Sequence, residues 1–209
     1  VVQNVKVNCL YEVDETSAPL EVPPRAAPPE PLFAELTGFQ HTHHEELFDD
    51  FDRQPLLPRR LSQLGPGVAW YDLDADGRED LIVGSGKGGR LSVFRNDGEG
   101  GFAPWDSPAL RPPITRDQTG VLGWRNPAGH PVVLVGSANY EDGLASGPIV
   151  RQFNLSTGTI DDSLPPAQAS TGPLALADVD ADGDLDLFVG GRVLPGRYPV
   201  AASSRLFRS

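Results

Sequence analysis

Short runs of alternating apolar and polar residues recur through the second half of this chain. In the stretch after residue 66, each run is four to seven residues long, and most are bounded by glycine, aspartate or asparagine, which favour turns. A period of two places every second side chain on one face, as in a half-buried β-strand. The pattern predicts few helices. In the first repeat it predicts the strands Val68–Tyr71, Asp80–Ser85, Arg90–Arg95 and Gly101–Trp105.

The same arrangement repeats further along the chain. Three segments align, ending at Gly84, Gly136 and Gly190, which are 52 and 54 residues apart. This period is close to that of a four-stranded propeller blade. The later copies predict the strands Val121–Trp124, Pro131–Ser137, Ile149–Asn154, one after Gly158, Leu174–Ala177, Asp186–Gly190 and Ser204–Arg208.

We therefore predict an all-β protein, a β-propeller of four-stranded blades. The blades are expected at about 67–119, 120–172 and 173–209, and the third lacks its fourth strand. Because closed propellers usually have four or more blades, we expect an incomplete fragment of a larger propeller.

The first third of the chain has a different composition. Residues Val1–Val13 alternate, which predicts a strand with Cys9 buried on one face, so residues 1–18 are interpreted as the tail of a preceding domain. Six prolines in Pro19–Pro31 predict an extended linker. Residues 32–66 are expected to form a lead-in segment to the blades. A single cysteine excludes an internal disulfide.

The net charge of −12 argues against a nucleic-acid partner, which would need clustered Lys and Arg. Ten of the 29 acidic residues lie in two windows, Asp72–Asp80 and Asp178–Asp186, where folding without cations would be costly. No apolar run reaches the length of a transmembrane helix.

Each window has the spacing of a calcium-binding loop. Carboxylates occupy positions 1, 3, 5 and 9, glycine at position 6 permits a sharp turn, and the main-chain carbonyl at position 7 can add a ligand. Oxygen-only ligands select a hard cation, so we predict two Ca²⁺ sites. The predicted ligands are Asp72, Asp74, Asp76, Asp80 and the carbonyl of Arg78 in the first loop, and Asp178, Asp180, Asp182, Asp186 and the carbonyl of Asp184 in the second.

Two observations refine this prediction. An EF-hand would require Glu at position 12 and flanking helices, but Val83 and Val189 occupy that position within apolar, strand-like runs. In the middle repeat the four acidic positions are taken by other residues, and only the turn glycine, Gly129, remains. The replacements are Trp124, Asn126, Ala128 and Val132.

The Asp loops, the apolar run and glycine after each, and the blade-length period resemble FG-GAP/VCBS repeats, whose propellers include the integrin α-chain head. The segments Phe39–Phe51, Gln54–Gly84 and Asp184–Pro199 are more specifically similar to bacterial VCBS-repeat proteins related to cartilage acidic protein that carry ASPIC/UnbV domains. The resemblance covers most of residues 32–209. It implies an extracellular, cell-surface or periplasmic module that binds or scaffolds a protein or carbohydrate ligand, and it implies no catalytic residue.

A second hypothesis is a propeller-based enzyme acting on polysaccharide, with polar groups from His41–Glu46. In a strand, His41 and His43 would share a face and, with Glu45, can bind a transition metal. The chain contains no nucleophile elbow and no phosphate-binding Gly-Lys-Ser/Thr motif. A non-enzymatic role is therefore favoured.

Overall fold

The computed structural model describes residues 4, 6–12, 30–143 and 145–209. The chain divides into two units, Val1–Glu35 and Leu36–Ser209. The proline-rich segment predicted as a linker lies almost wholly outside the described residues.

The predicted N-terminal strand is wrong for residues 6–12. This segment has a turn at Val7 and Asn8 and no strand, and Cys9 is exposed rather than buried. The left-handed backbone of Asn4 and Asn8, with φ of 63° and 60°, interrupts an extended course. Alternation predicts a strand only where a neighbouring strand accepts its hydrogen bonds, and residues 6–12 pair with no other described segment.

The second unit is all-β, as predicted. Within the described residues, eleven strands form three antiparallel sheets in the order β1-β2-β3-β4, β5-β6-β7-β8 and β9-β10-β11. All eleven coincide with predicted strands. The strands are β1 Val68–Tyr71, β2 Asp80–Val83, β3 Ser92–Asn96, β4 Phe102–Pro104, β5 Asp117–Arg125, β6 Pro131–Ala138, β7 Val150–Asn154, β8 Ile160–Asp162, β9 Ser170–Ala177, β10 Asp186–Val193 and β11 Arg205–Phe207.

The described residues contain little helical structure. The α-helix α1, Asp50–Arg53, begins after Asp49, whose side chain accepts a hydrogen bond from the Phe51 N–H. A 3₁₀ turn at Pro108–Leu110 connects the first sheet to the second. No helix of the described residues has the length and apolar character needed to cross a membrane.

The core lies between successive sheets, and β6 is its centre. Val133 and Val135 pack toward the first sheet against residues such as Ile82, whereas Val132 and Leu134 pack toward the third sheet. Because alternate side chains enter opposite cores, the middle sheet is apolar on both faces. This explains why β6 is a nearly continuous apolar run.

The first strands of the three sheets lie side by side, with β5 between β1 and β9. A Cβ atom at Gly120 would lie 3.0 Å from the carbonyl oxygen of Gly172, and one at Gly67 would lie 3.0 Å from the Cα of Gly120. Glycine recurs here because the main chains of successive sheets meet without room for a side chain.

Residues 39–62 of the lead-in segment pack on the first sheet and against Tyr140, which follows β6. Phe39 contacts Phe94 edge to face, with ring centroids 5.0 Å apart. The Gly86 N–H donates to the carbonyl oxygen of His44 at 3.0 Å. Buried Asp50 accepts hydrogen bonds from the N–H groups of Leu61 and Ser62 at 2.7 and 3.0 Å. These contacts hold residues 39–62 in a fixed course over the blades.

Candidate metal-binding loops

The first Asp-rich loop joins β1 to β2. Tyr71 pairs with Asp80 across the two strands, so the loop contains residues 72–79. The carboxylate of Asp72 accepts hydrogen bonds from the N–H groups of Asp76 at 3.1 Å and Gly77 at 2.9 Å. Ala75 and Gly77 adopt positive φ, of 63° and 85°. The loop is thus wound around its first carboxylate.

The second loop repeats this geometry between β9 and β10. The carboxylate of Asp178 accepts from the N–H groups of Ala181 at 2.6 Å and Gly183 at 3.1 Å. Ala181 and Gly183 again have positive φ, of 61° and 98°. The two loops are structural equivalents, as the shared spacing predicts.

The last acid of each loop is buried and fastens the loop to its sheet. Asp80 is 1% exposed, and its carboxylate accepts from the N–H groups of Leu73 and Asn96, both at 3.0 Å. Burial raises the pKa of Asp80, and the nearby charges of Asp74 and Asp76 raise it further. Burial therefore disfavours the charged form of Asp80, and a cation bound beside it would favour that form.

Asp186 has the same role in the third sheet. It is 2% exposed and accepts from the N–H groups of Val179 and Ser209, both at 3.1 Å. Position 9 is therefore both a candidate metal ligand and the structural anchor of the loop.

Three carboxylates converge in each loop. In the first, oxygens of Asp72, Asp74 and Asp80 lie within 4.8 Å of one another. The second gathers Asp178, Asp180 and Asp186 in the same way. Both donor sets consist of carboxylate oxygens alone, which suits a hard cation such as Ca²⁺ and not zinc or copper.

The remaining predicted ligands lie outside these groups of three. The Asp76 carboxylate is paired with the Arg78 guanidinium and accepts from the Arg78 N–H at 2.9 Å. Asp182 likewise accepts from the Asp184 N–H at 3.0 Å. The acids at position 5 therefore close the turn in this structure, and the role of the position 7 carbonyls stays a prediction.

The middle sheet has a shorter turn at the corresponding place. Arg125 pairs with Pro131, so residues 126–130 connect β5 to β6. Asn126 accepts from the N–H groups of Ala128 and His130 at 3.1 and 3.0 Å. A neutral amide therefore closes this turn in place of a carboxylate.

Sequence reasoning missed the arginines that face the Asp loops. Arg95 lies 3.9 Å from the Asp74 carboxylate, and Arg208 lies 3.2 Å from that of Asp180. Each arginine follows a phenylalanine in the third strand of its sheet or directly after it, so the repeated Phe-Arg pair was the available signal.

The histidine segment does not form the metal site considered from the sequence. His43 Nε2 lies 3.0 Å from the Glu45 carboxylate, while His41 packs edge to face on Phe94. Within the part of the chain that the structure describes, no group of three potential ligands combines these histidines.

Glu45 instead meets two other carboxylates at the opposite ends of the strands from the Asp loops. Its oxygen and those of Asp117 and Glu141 lie within 4.8 Å of one another. Burial, together with the charge of Asp117 and then that of Glu45, raises the pKa of Glu141 to about 7. The partly buried Arg192 guanidinium interacts with Asp117 and Glu141. Proton sharing and this arginine therefore offset the charge of the cluster.

The geometry defines a class of protein: an all-β repeat protein with antiparallel blade-like sheets and Asp-rich loops between the first two strands of a blade. Residues 72–122 match the model of the FG-GAP-like repeat. This segment begins at the first acid of the first loop, runs through β2, β3 and β4 and ends in β5. Comparison with curated proteins finds no match to the chain.

The match supports the FG-GAP repeat family, and the fold is consistent with part of an FG-GAP β-propeller. The more specific likeness to ASPIC/UnbV-associated proteins stays a prediction.

Proposed function

We propose that this chain is a non-enzymatic, calcium-binding propeller module that binds or scaffolds a protein or carbohydrate outside the cytoplasm. The observation that carries the proposal is the occurrence of two equivalent groups of three carboxylates, one in each Asp loop.

In this proposal each loop holds one Ca²⁺. Position 1, position 3 and buried position 9 supply the converging carboxylates, and position 5 and the carbonyl at position 7 complete the set as the loop adjusts. A bound cation offsets the mutual repulsion of the acids, and it stabilises the native state by mass action because the unfolded chain lacks the site.

Calcium availability supports an extracellular, cell-surface or periplasmic location. Sites built from a few loop carboxylates in extracellular modules bind calcium with a Kd on the order of 10⁻⁴–10⁻³ M. Millimolar calcium outside the cell would saturate such sites, whereas cytosolic levels would not. The resemblance to FG-GAP repeats supports the same location.

A groove on the first sheet supports the binding role. Its volume is about 420 Å³, within the usual range of ligand sites. Trp105, Asp106 and the arginines at positions 90 and 111 are among the residues that line it. An aromatic ring beside charged and hydroxyl groups suits contact with a sugar or a polar peptide.

Thermal unfolding tests the calcium proposal. The 209-residue chain is compared in about 5 mM calcium and in excess chelator, together with the double variant Asp72→Asn/Asp178→Asn. We expect calcium to raise the Tm of the original chain and to have little effect on the double variant. The control Asp106→Asn removes an exposed acid outside both loops and should respond like the original chain. An unchanged Tm in the original chain would contradict the proposal.

A further inference from the structure

Both Asp loops are paired with an arginine from the outer part of their own sheet. Arg208 Nη1 lies 3.2 Å from a carboxylate oxygen of Asp180, and Arg95 Nε lies 3.9 Å from one of Asp74. Both acids occupy position 3 of their loops. The guanidinium of Arg95 is also stacked 3.8 Å over the Trp105 ring, which fixes its direction.

Strand register shows that the two arginines are equivalent. Phe94 pairs with Leu81 in the first sheet, and Phe207 pairs with Leu187 in the third. Each arginine is the next residue after its phenylalanine, so both stand at one position of the repeat.

The middle sheet supplies an internal comparison. There Phe153 pairs with Val133, which makes Asn154 the counterpart of the arginines. Asn154 accepts hydrogen bonds from the N–H groups of Ser156 and Thr157 within its own turn. The blade that lacks the Asp loop therefore also lacks the arginine, which links the arginine to the loop and not to the general needs of the fold.

We infer that Arg95 and Arg208 are positioning residues for the two loops, holding the acid at position 3 in place without a cation and opposing the cation when it binds. This inference rests on the proposed function. A guanidinium beside three carboxylates lowers their repulsion in the cation-free loop. The same positive charge repels an incoming divalent cation, so each arginine lowers the affinity of its own site.

The two loops also differ in charge. The window Asp72–Asp80 contains five acids and Arg78, which pairs with Asp76, whereas Asp178–Asp186 contains five acids and no basic residue. Since affinity in such loops follows ligand charge, the second loop binds calcium more tightly and fills first.

Calcium titration by calorimetry of the 209-residue chain, with Tm measured in chelator, tests the inference. The variants are Arg95→Gln and Arg208→Gln. Arg151→Gln is the matched control, because Arg151 forms a similar exposed pair with Asp162, 3.0 Å away, in the sheet without an Asp loop.

Each loop variant should bind calcium about two- to fivefold more tightly at one site, as suits a partly exposed charge. Each should also have a lower Tm in chelator than the original chain. Arg208→Gln should affect the tighter site and Arg95→Gln the weaker one, while Arg151→Gln should leave both affinities unchanged.

The results distinguish a failure of the proposed calcium binding from a failure of the proposed role of the arginines. If the original chain binds no calcium, the proposed function and this inference both fail. If it binds two ions but neither loop variant changes an affinity, or both weaken it, the inference alone is overturned. Arg208 has no ring contact within the described residues, so its variant tests the charge effect without loss of stacking.

Discussion

Arg125 connects the turn without acids to the first Asp loop. Its Nη2 donates to the carbonyl oxygen of Leu73 at 2.6 Å, while its Nη1 donates to that of Gly129 at 2.9 Å. Leu73 is fully buried at the centre of the core between the first two sheets. The guanidinium therefore fixes the two neighbouring connections to each other.

Replacing this arginine should weaken the contact between the first two sheets. For Arg125→Gln we expect the free energy of unfolding to fall by about 1.5–3 kcal/mol, because two hydrogen bonds from a charged donor are lost. Urea unfolding measures the change. Arg111→Gln, which removes an exposed pair with Asp106, should cost less than about 1 kcal/mol, and an equal loss in both variants would show that the bridge has no special role.

The close approach of the inner strands gives a second prediction. A methyl group at Gly120 would meet the main chain of β9, which cannot move without disturbing the third sheet. We expect Gly120→Ala to lower the free energy of unfolding by about 1–3 kcal/mol, the usual cost of overpacking. Chemical unfolding checks this, with Ser163→Ala, in the turn after β8, as a control that should be close to neutral. If Gly120→Ala leaves the free energy of unfolding unchanged, the main chains of β5 and β9 can move apart at little cost.

Replacing Asp80, which anchors the first loop to its sheet, should affect stability differently from replacing Asp74, which only faces the proposed cation. Asp80→Ala leaves the buried N–H of Leu73 and the half-buried N–H of Asn96 without their acceptor and should cost about 2–4 kcal/mol even in chelator. Asp74→Ala removes an exposed acid and should change stability little in chelator but abolish stabilisation of that loop by calcium. Thermal unfolding with and without calcium distinguishes the two. Equal behaviour in chelator would contradict an anchoring role for Asp80.

Sequence alone predicted the strands well because alternation and turn residues are local signals. Some boundaries agree, as for Val68–Tyr71. Others do not: β5 begins at Asp117 and not at Val121, and β9 begins at Ser170 and not at Leu174. Both extensions lie beside register irregularities, which interrupt the alternation.

The candidate site was predicted only in part. Spacing placed the Asp loops correctly, since a loop wound around its first carboxylate is determined within a few residues. The facing arginines belong to another strand, and their proximity depends on the register of the sheet. The third carboxylate cluster joins Glu45, Asp117 and Glu141 across nearly a hundred residues, and no local pattern indicates such a meeting.

That cluster predicts how stability depends on pH. Burial and the charges of Asp117 and Glu45 raise the pKa of Glu141 from 4.5 to about 7, so the native state binds more protons than the unfolded chain between these values. Its contribution to stability is complete below about pH 4.5 and is lost as the pH rises through 7. Because solvent screens the partly exposed cluster, we expect a loss of about 1 kcal/mol attributable to Glu141.

Comparison of variants separates this contribution from that of the neighbouring His43–Glu45 pair. Glu141→Gln, which resembles the protonated acid, should flatten the fall in Tm between pH 4.5 and 8 in chelator. Glu99→Gln, at an exposed turn, should follow the original chain, and His43→Gln should retain most of the fall. If His43→Gln flattens the profile and Glu141→Gln does not, the His43–Glu45 pair governs the pH dependence.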